Sequence, residues 1–223
     1  MIEFKQVQFE YSAESETPGF SLTVPDLTVE TGQAVAVIGP SGCGKTTMLR
    51  LAGGIAVPSA GEVFFEGVGM RTRSESQRRD LRLRRVGFVF QEFRLLEYLD
   101  VFQNILLPYR LGSLRLNAEA KDRARSLASE LGIGPLMRRS IDRLSHGERQ
   151  RVAICRALVT RPACLLADEP TGNLDPVNKR GILDALLDAA RNHGAAVLAV
   201  THDHELLPSF DRIIDFGREE QSS

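Results

Sequence analysis

Ala34-Val35-Ala36-Val37-Ile38-Gly39-Pro40-Ser41-Gly42-Cys43-Gly44-Lys45-Thr46 decides the fold. Residues 34 to 38 are apolar without alternation and rich in β-branched side chains, the pattern of a parallel strand buried on both faces. Residues 39 to 46 fit G-x-x-x-x-G-K-[ST] without deviation, and a helical stretch runs from Thr46 to about Ala56. Strand, glycine-rich turn and helix start, in that order, make a phosphate cradle. The glycines let successive backbone N–H groups converge on one anion, and the helix N-terminus adds its partial positive charge. Lys45 is placed to reach the β- and γ-phosphates of a nucleotide, and the Thr46 hydroxyl to ligate Mg²⁺. Nucleotide contacts are expected from Gly39, Pro40, Ser41, Gly42, Cys43, Gly44, Lys45, Thr46 and Thr47.

Outward from this loop the chain alternates. Ile2, Phe4, Phe9 and Tyr11 stand among polar residues in broken alternation, which predicts a strand over 2–11 with a bulge near Gln6-Val7. Leu22 to Val29 reads as a second strand, and residues 62 to 66 and 86 to 90 as two more. Strand pattern returns at Ala163–Ala167 and Ala195–Thr201. Between these lies a helix from Pro176 to about Asn192, with the proline in its first turn. From Phe93 to about Arg161 the pattern is mostly helical. Asn117 is an N-cap there, Ala124, Leu127, Ala128 and Leu131 follow at helical spacing, and Gly132 ends the run. Strands alternating with helices predict a parallel α/β core, interrupted by a helical insertion.

Composition sets limits on function. The chain has 223 residues, 43% hydrophobic and 26% charged, with a net charge of −1, so no global field recruits nucleic acid or anionic lipid. The arginine-rich run between residues 71 and 85 lacks aromatic residues for base stacking and reads as a solvated helix or loop. Cys43, Cys155 and Cys164 are widely spaced, which fits neither a disulfide framework nor a zinc site and suits reduced thiols in the cytosol. No signal peptide is expected from Met1-Ile2-Glu3-Phe4-Lys5. The apolar runs, such as Ala195–Val200, are too short to span a bilayer.

A phosphate loop alone does not specify the chemistry. Leu165-Leu166-Ala167-Asp168-Glu169 supplies the second part: an apolar strand ending in a carboxylate puts Asp168 beside the metal. The adjacent Glu169 is then placed to orient and deprotonate an attacking water. Leu144-Ser145-His146-Gly147-Glu148 precedes an amphipathic helix and reads as a capping box, with Ser145 as N-cap and Glu148 three residues on. Such a terminus is a second anion site. A chain with two of them far apart can complete one active site by pairing with another copy.

These residues, in this order, resemble the nucleotide-binding domain of ABC transporters along essentially the whole chain. The matching elements are Tyr11, the Walker A loop 39–46, Gln91, the signature 144–148, the Walker B strand 164–168, Glu169, Asp175 and His202. The resemblance implies a P-loop NTPase fold with a parallel core sheet, an antiparallel β subdomain and an inserted α-helical subdomain. Residues 1–223 would form one such domain, with 1–91 and 162–223 as core plus β subdomain and 92–161 as the helical part. Implied roles follow: Tyr11 stacks on adenine, and Gln91 touches Mg²⁺ or the water. Ser145, Gly147 and Glu148 meet ATP held by a partner copy, and Asp175 couples the two sites. His202 contacts the γ-phosphate and holds Glu169, the catalytic group, with Lys45 and Gln91 assisting. ATP and Mg²⁺ are the implied cofactors. A second copy and an integral-membrane permease are the implied partners, with no nucleic acid, at the cytoplasmic face of the cell membrane.

Two stretches, Leu83–Gln91 and Glu169–Asp175, resemble the LolD, MacB and FtsE branch. A glycine of the family's usual signature is His146 here, and its glutamine is Glu148. Soluble ABC ATPases of DNA repair or translation carry coiled-coil arms, zinc insertions or two cassettes, none of which this sequence shows. A gating role without turnover is the other alternative, against which Asp168, Glu169 and His202 stand.

Overall fold

The computed structural model describes residues 1–10 and 21–216. Strand β1 (Ile2–Glu10) runs antiparallel to β2 (Ser21–Val24), β3 (Leu27–Val29) and the later strand β5 (Ala60–Phe65), so the chain opens with an antiparallel sheet. The expected single strand over 22–29 is two. Pro25-Asp26 breaks it, and the Asp26 carboxylate accepts the Gln6 N–H at 2.6 Å. That bond occupies the donor left unpaired by the bulge, where Gln6 has φ 49 and the β1–β5 register shifts.

Strand β4 (Ala34–Ile38) leads through the glycine-rich loop to α1 (Lys45–Ala52). This helix stops four residues short of the expected end because Gly53-Gly54 follow, with Gly53 as C-cap. After it come β5 (Ala60–Phe65), the short β6 (Val68–Gly69), α2 (Glu75–Arg85) and β7 (Val86–Phe90). Helix α2 carries the arginine-rich run, starts at a Ser74–Gln77 capping box and buries only Leu81. Next lie α3 (Val101–Ile105), α4 (Ala118–Glu130) and α5 (His146–Leu158), with one 3₁₀ turn between the first two and two between α4 and α5. Asn117 caps α4 by accepting from Ala120 N, as its position predicts. The chain closes with β8 (Cys164–Asp168), α6 (Pro176–Asn192), β9 (Ala196–Val200) and β10 (Arg212–Asp215).

Five parallel strands stand in the order β10-β4-β9-β8-β7. Alternation along each strand divides the core. Ala34 and Ala36, Leu165 and Ala167, Val197 and Ala199 face α3–α6. Val35 and Val37, Cys164 and Leu166, Leu198 and Val200 face α1 and the antiparallel sheet, where Phe4 and Phe65 are almost wholly buried. Each such phenylalanine contributes about 1.5–3 kcal/mol by leaving water.

Helix α5 packs directly on the β7 backbone. A Cβ at Gly87 would lie 2.4 Å from Ala157 O and 2.6 Å from Leu165 Cδ2. Gly87→Ala is therefore expected to cost about 1–3 kcal/mol, read as a lower urea midpoint at unchanged slope; an unchanged midpoint contradicts this packing.

Candidate functional site

All the polar groups of the site stand at the carboxyl ends of the parallel strands. The glycine-rich loop follows β4, Gln91 follows β7, Asp168 and Glu169 end β8, and His202 follows β9. Side chains face away from one another along a strand, but strand ends in register deliver their next residues to one edge, where ligands of α/β sheets bind. A pocket of about 510 Å³ opens there, lined by Ser41, Gly42, Gly44, Lys45, Thr46, Thr47, Gln91, Asp168, Glu169 and Val200.

The loop wraps because Gly42 (φ 83) and Gly44 (φ 97) sit in the left-handed region, which a side chain would strain. Gly44 is the residue before α1, so the first N–H groups of that helix face the pocket. The Lys45 ammonium donates to Gly39 O at 2.9 Å and Pro40 O at 2.7 Å, spanning the loop's mouth. Thr46 Oγ1 donates to Asp168 Oδ1 at 3.3 Å, which places a hydroxyl and a carboxylate side by side. Hard oxygen donors of this kind suit Mg²⁺, which takes one or two protein oxygens and completes its shell with water and phosphate. The Gln91 amide lines the same pocket.

Glu169 has φ 47, unusual for a residue with a side chain, and its N–H donates to Val200 O at 3.0 Å. That turn aims the carboxylate across to β9, where Oε2 lies 2.8 Å from His202 Nδ1 and accepts the His202 backbone N–H at 3.3 Å. The carboxylate is 16% exposed and the imidazole 66%. A shielded carboxylate tied to a solvent-facing imidazole can accept a proton from water while the ring holds its orientation.

Ser145, Gly147 and Glu148 do not line this pocket. They form the start of α5, where Glu148 Oε2 accepts Ser145 N at 2.7 Å and Ser145 Oγ accepts Glu148 N at 3.3 Å. Among the described residues, no atom beyond its chain neighbours and its own helix backbone lies within 4 Å of where a Gly147 Cβ would stand, so this helix start is open to an incoming group. Asp175 caps α6, accepting from Asn178 N. Tyr11 lies outside the described residues.

Two supporting residues escaped the sequence reading. Asn173 is a hub: its amide donates to Gln91 O at 2.8 Å, its Oδ1 accepts from Gln91 Nε2 at 3.3 Å, and its carbonyl meets His146 Nδ1 at 3.1 Å. His146 thus joins the signature turn to the 169–175 stretch. Arg156, on α5, donates to Phe93 O at 2.6 Å and Arg94 O at 2.5 Å, holding two left-handed residues just past Gln91. Burial pushes its guanidinium down to about 10, so it still carries its charge at neutral pH. A charged residue on the apolar face of α5 was the available signal.

The thiols differ sharply. Burial pushes Cys155 and Cys164 up, Cys164 to about 12, whereas half-buried Cys43 has its sulfur 3.8 Å from Lys45 Nζ. A thiol reagent at mildly alkaline pH is expected to label Cys43 in the native protein, more slowly with saturating ATP, and the other two only on unfolding. Mass-spectrometric mapping checks this; fast native labelling of Cys155 or Cys164 contradicts it.

A buried strand, a G-x-x-x-x-G-K-T loop, a strand-end carboxylate pair and a bridging histidine define a P-loop nucleoside triphosphatase. Comparison with known proteins narrows the class. The ABC transporter family matches residues 22–172. The lipoprotein-releasing system ATP-binding protein LolD 1 of Rhodospirillum rubrum is 43% identical over 193 residues, which cover 86% of this chain and 85% of that protein. LolD of Xanthomonas oryzae pv. oryzae is 40% identical over 190 residues, 85% of this chain and 78% of that one. Among solved structures, the dimeric ATP-binding cassette MJ0796, in a post-hydrolysis state bound to ADP and Pi, has a TM-score of 0.83 and 31% identity, covering 96% of this chain and 94% of that one. The cbiO1 protein of Clostridium perfringens, part of the ABC transporter complex cbiONQ, has a TM-score of 0.84 and 26% identity, covering 96% and 83%. The chain belongs to the ABC transporter family, as an ATP-binding and ATP-hydrolysing subunit. Among the described residues no helix is long and apolar enough to cross a membrane.

Proposed function

We propose that this subunit powers a lipoprotein-releasing transporter, working as a head-to-tail dimer beneath its permease at the cytoplasmic face of the membrane. The observation that carries the reading is the 43% identity to a LolD protein over 86% of the chain. In this reading Lys45 and the loop 39–47 hold the ATP phosphates, and Ser145, Gly147 and Glu148 of the other copy close the site. Glu169 accepts the proton of the attacking water, and His202 keeps that carboxylate in place. Thr46, Asp168 and Gln91 would hold Mg²⁺, which when bound supplies positive charge against the phosphate oxygens. Asp175, at the cap of α6, meets the opposite copy. Loss of the γ-phosphate then removes the bridge between copies, and the dimer population shifts.

The helical segment from about Phe93 to Ser140, together with the Gln91 loop, is the arm that answers the permease. Support comes from an apolar groove of about 420 Å³ between that arm and the core, lined among others by Ile55, Leu83, Phe88, Phe90 and Leu111. Ile55 and Leu111 are about half exposed, at 47% and 51%, and both line this one groove. The groove suits a short amphipathic helix from the membrane subunit.

The test is reconstitution with the cognate permease in lipid vesicles carrying a lipid-modified protein. ATP-dependent release of that protein to an acceptor supports the reading. ATP hydrolysis stimulated by the permease without release of any lipid-modified protein refutes the lipoprotein assignment and leaves the ATPase assignment intact.

A further inference from the structure

His202 presents a difficulty of positioning. Its ring is 66% exposed, so little packs around it, yet its Nδ1 lies 2.8 Å from Glu169. The ring's place must come from the backbone on either side. Upstream, buried Thr201 is pinned to β4 by donating its N–H to Val37 O at 3.1 Å. Downstream stands Asp203, whose N–H donates to Thr201 Oγ1 at 3.1 Å and whose Oδ1 accepts Glu205 N at 3.2 Å, capping the next turn. The remaining oxygen, Oδ2, meets Lys179 Nζ at 2.8 Å.

That pair is not a loose surface contact. The Lys179 and Asp203 side chains are only 23% and 15% exposed, and the hydrogen bond from Lys179 holds the Asp203 carboxyl below the usual carboxylate range. Lys179 stands one turn into α6, its N–H bonded to the carbonyl of Asp175, the residue that caps the helix. The ion pair therefore ties the start of α6 to the loop that carries His202. A change at one end has a short, stiff path to the other.

We propose that Lys179 is a positioning residue for ATP hydrolysis: through Asp203 it fixes the His202 loop so that the imidazole stays on Glu169, and it makes that placement depend on where the start of α6 sits. This rests on the proposed roles of Glu169 and His202 and extends them to a residue that does not line the nucleotide pocket. An ion pair serving stability alone would lower the melting temperature and leave the chemical step untouched. A positioning pair changes the chemical step at nearly constant nucleotide affinity.

The experiment compares Lys179→Met, Lys179→Arg, His202→Ala and the double variant K179M/H202A in the full chain, measuring ATP affinity and single-turnover hydrolysis. Lys179→Met is expected to slow hydrolysis about 10- to 100-fold with ATP affinity within about twofold. Lys179→Arg, which keeps the charge, recovers most of the rate. On top of His202→Ala, the Met substitution costs no more than about a further twofold, because both act through one ring. An unchanged rate in Lys179→Met overturns the proposal, whatever happens to stability. So does a fall in ATP affinity that matches the fall in rate, or the same loss repeated in the His202→Ala background. Full activity in His202→Ala alone counts against the site reading itself, so the two failures are separable.

Discussion

Replacing Glu169 with Gln is expected to slow steady-state ATP hydrolysis by about 10²–10⁴-fold, the span of a general base, while ATP stays bound. Glutamine matches the shape of the carboxylate and can still accept the His202 N–H, so the left-handed turn at φ 47 and the link to β9 persist. What is lost is a group able to take a proton from water. The binding elements, Lys45 and the loop around it, lie at the end of another strand and are undisturbed. Binding and chemistry therefore separate in this variant, and ATP accumulates where it would otherwise be consumed. Size exclusion with ATP and Mg²⁺ should show a dimer. A persistent monomer with ATP demonstrably bound counts against the two-chain site.

Lys45→Ala should do the converse and remove the binding. A charge-assisted contact to phosphate contributes about 1.5–3 kcal/mol, so ATP affinity should drop about 10- to 100-fold by calorimetry. Among the described residues, the Lys45 ammonium hydrogen-bonds to the carbonyls of Gly39 and Pro40 and the Cys43 sulfur, all within its own loop. The parallel sheet and α1 should survive, and an unchanged urea midpoint would show that they do. Retained affinity would mean that backbone N–H groups alone hold the phosphates.

What the sequence disclosed follows from contiguity. The 34–46 stretch contains strand, turn and helix start in one run, so its pattern, turn chemistry and context agree. Strands β8 and β9 were legible because burial on both faces leaves an unbroken apolar run, and helix α6 because a proline stands in its first turn. Strand β10 was not, because Arg212-Ile213-Ile214-Asp215 is short, largely exposed at the sheet edge and without alternation. Contacts between distant residues left no local trace. Asp26 bonding the bulge at Gln6, Asn173 bridging Gln91 to His146, and Lys179 on Asp203 each depend on a polar side chain that reads by itself as a solvated turn or helix residue. Family resemblance supplied the order of the motifs, and the strand ends supplied the reason they converge.

In the proposed dimer, one ATP site is assembled from two chains. Strand ends bring Lys45, Asp168, Glu169 and Gln91 together, while the open turn of Ser145 and Gly147 stands apart from that pocket. A crystal structure of the Glu169→Gln variant with ATP and Mg²⁺ tests this most directly. Ser145 Oγ and Gly147 N of one copy are expected on the γ-phosphate held by the Lys45 loop of the other. ATP enclosed within a single chain, with the start of α5 facing solvent, would contradict it.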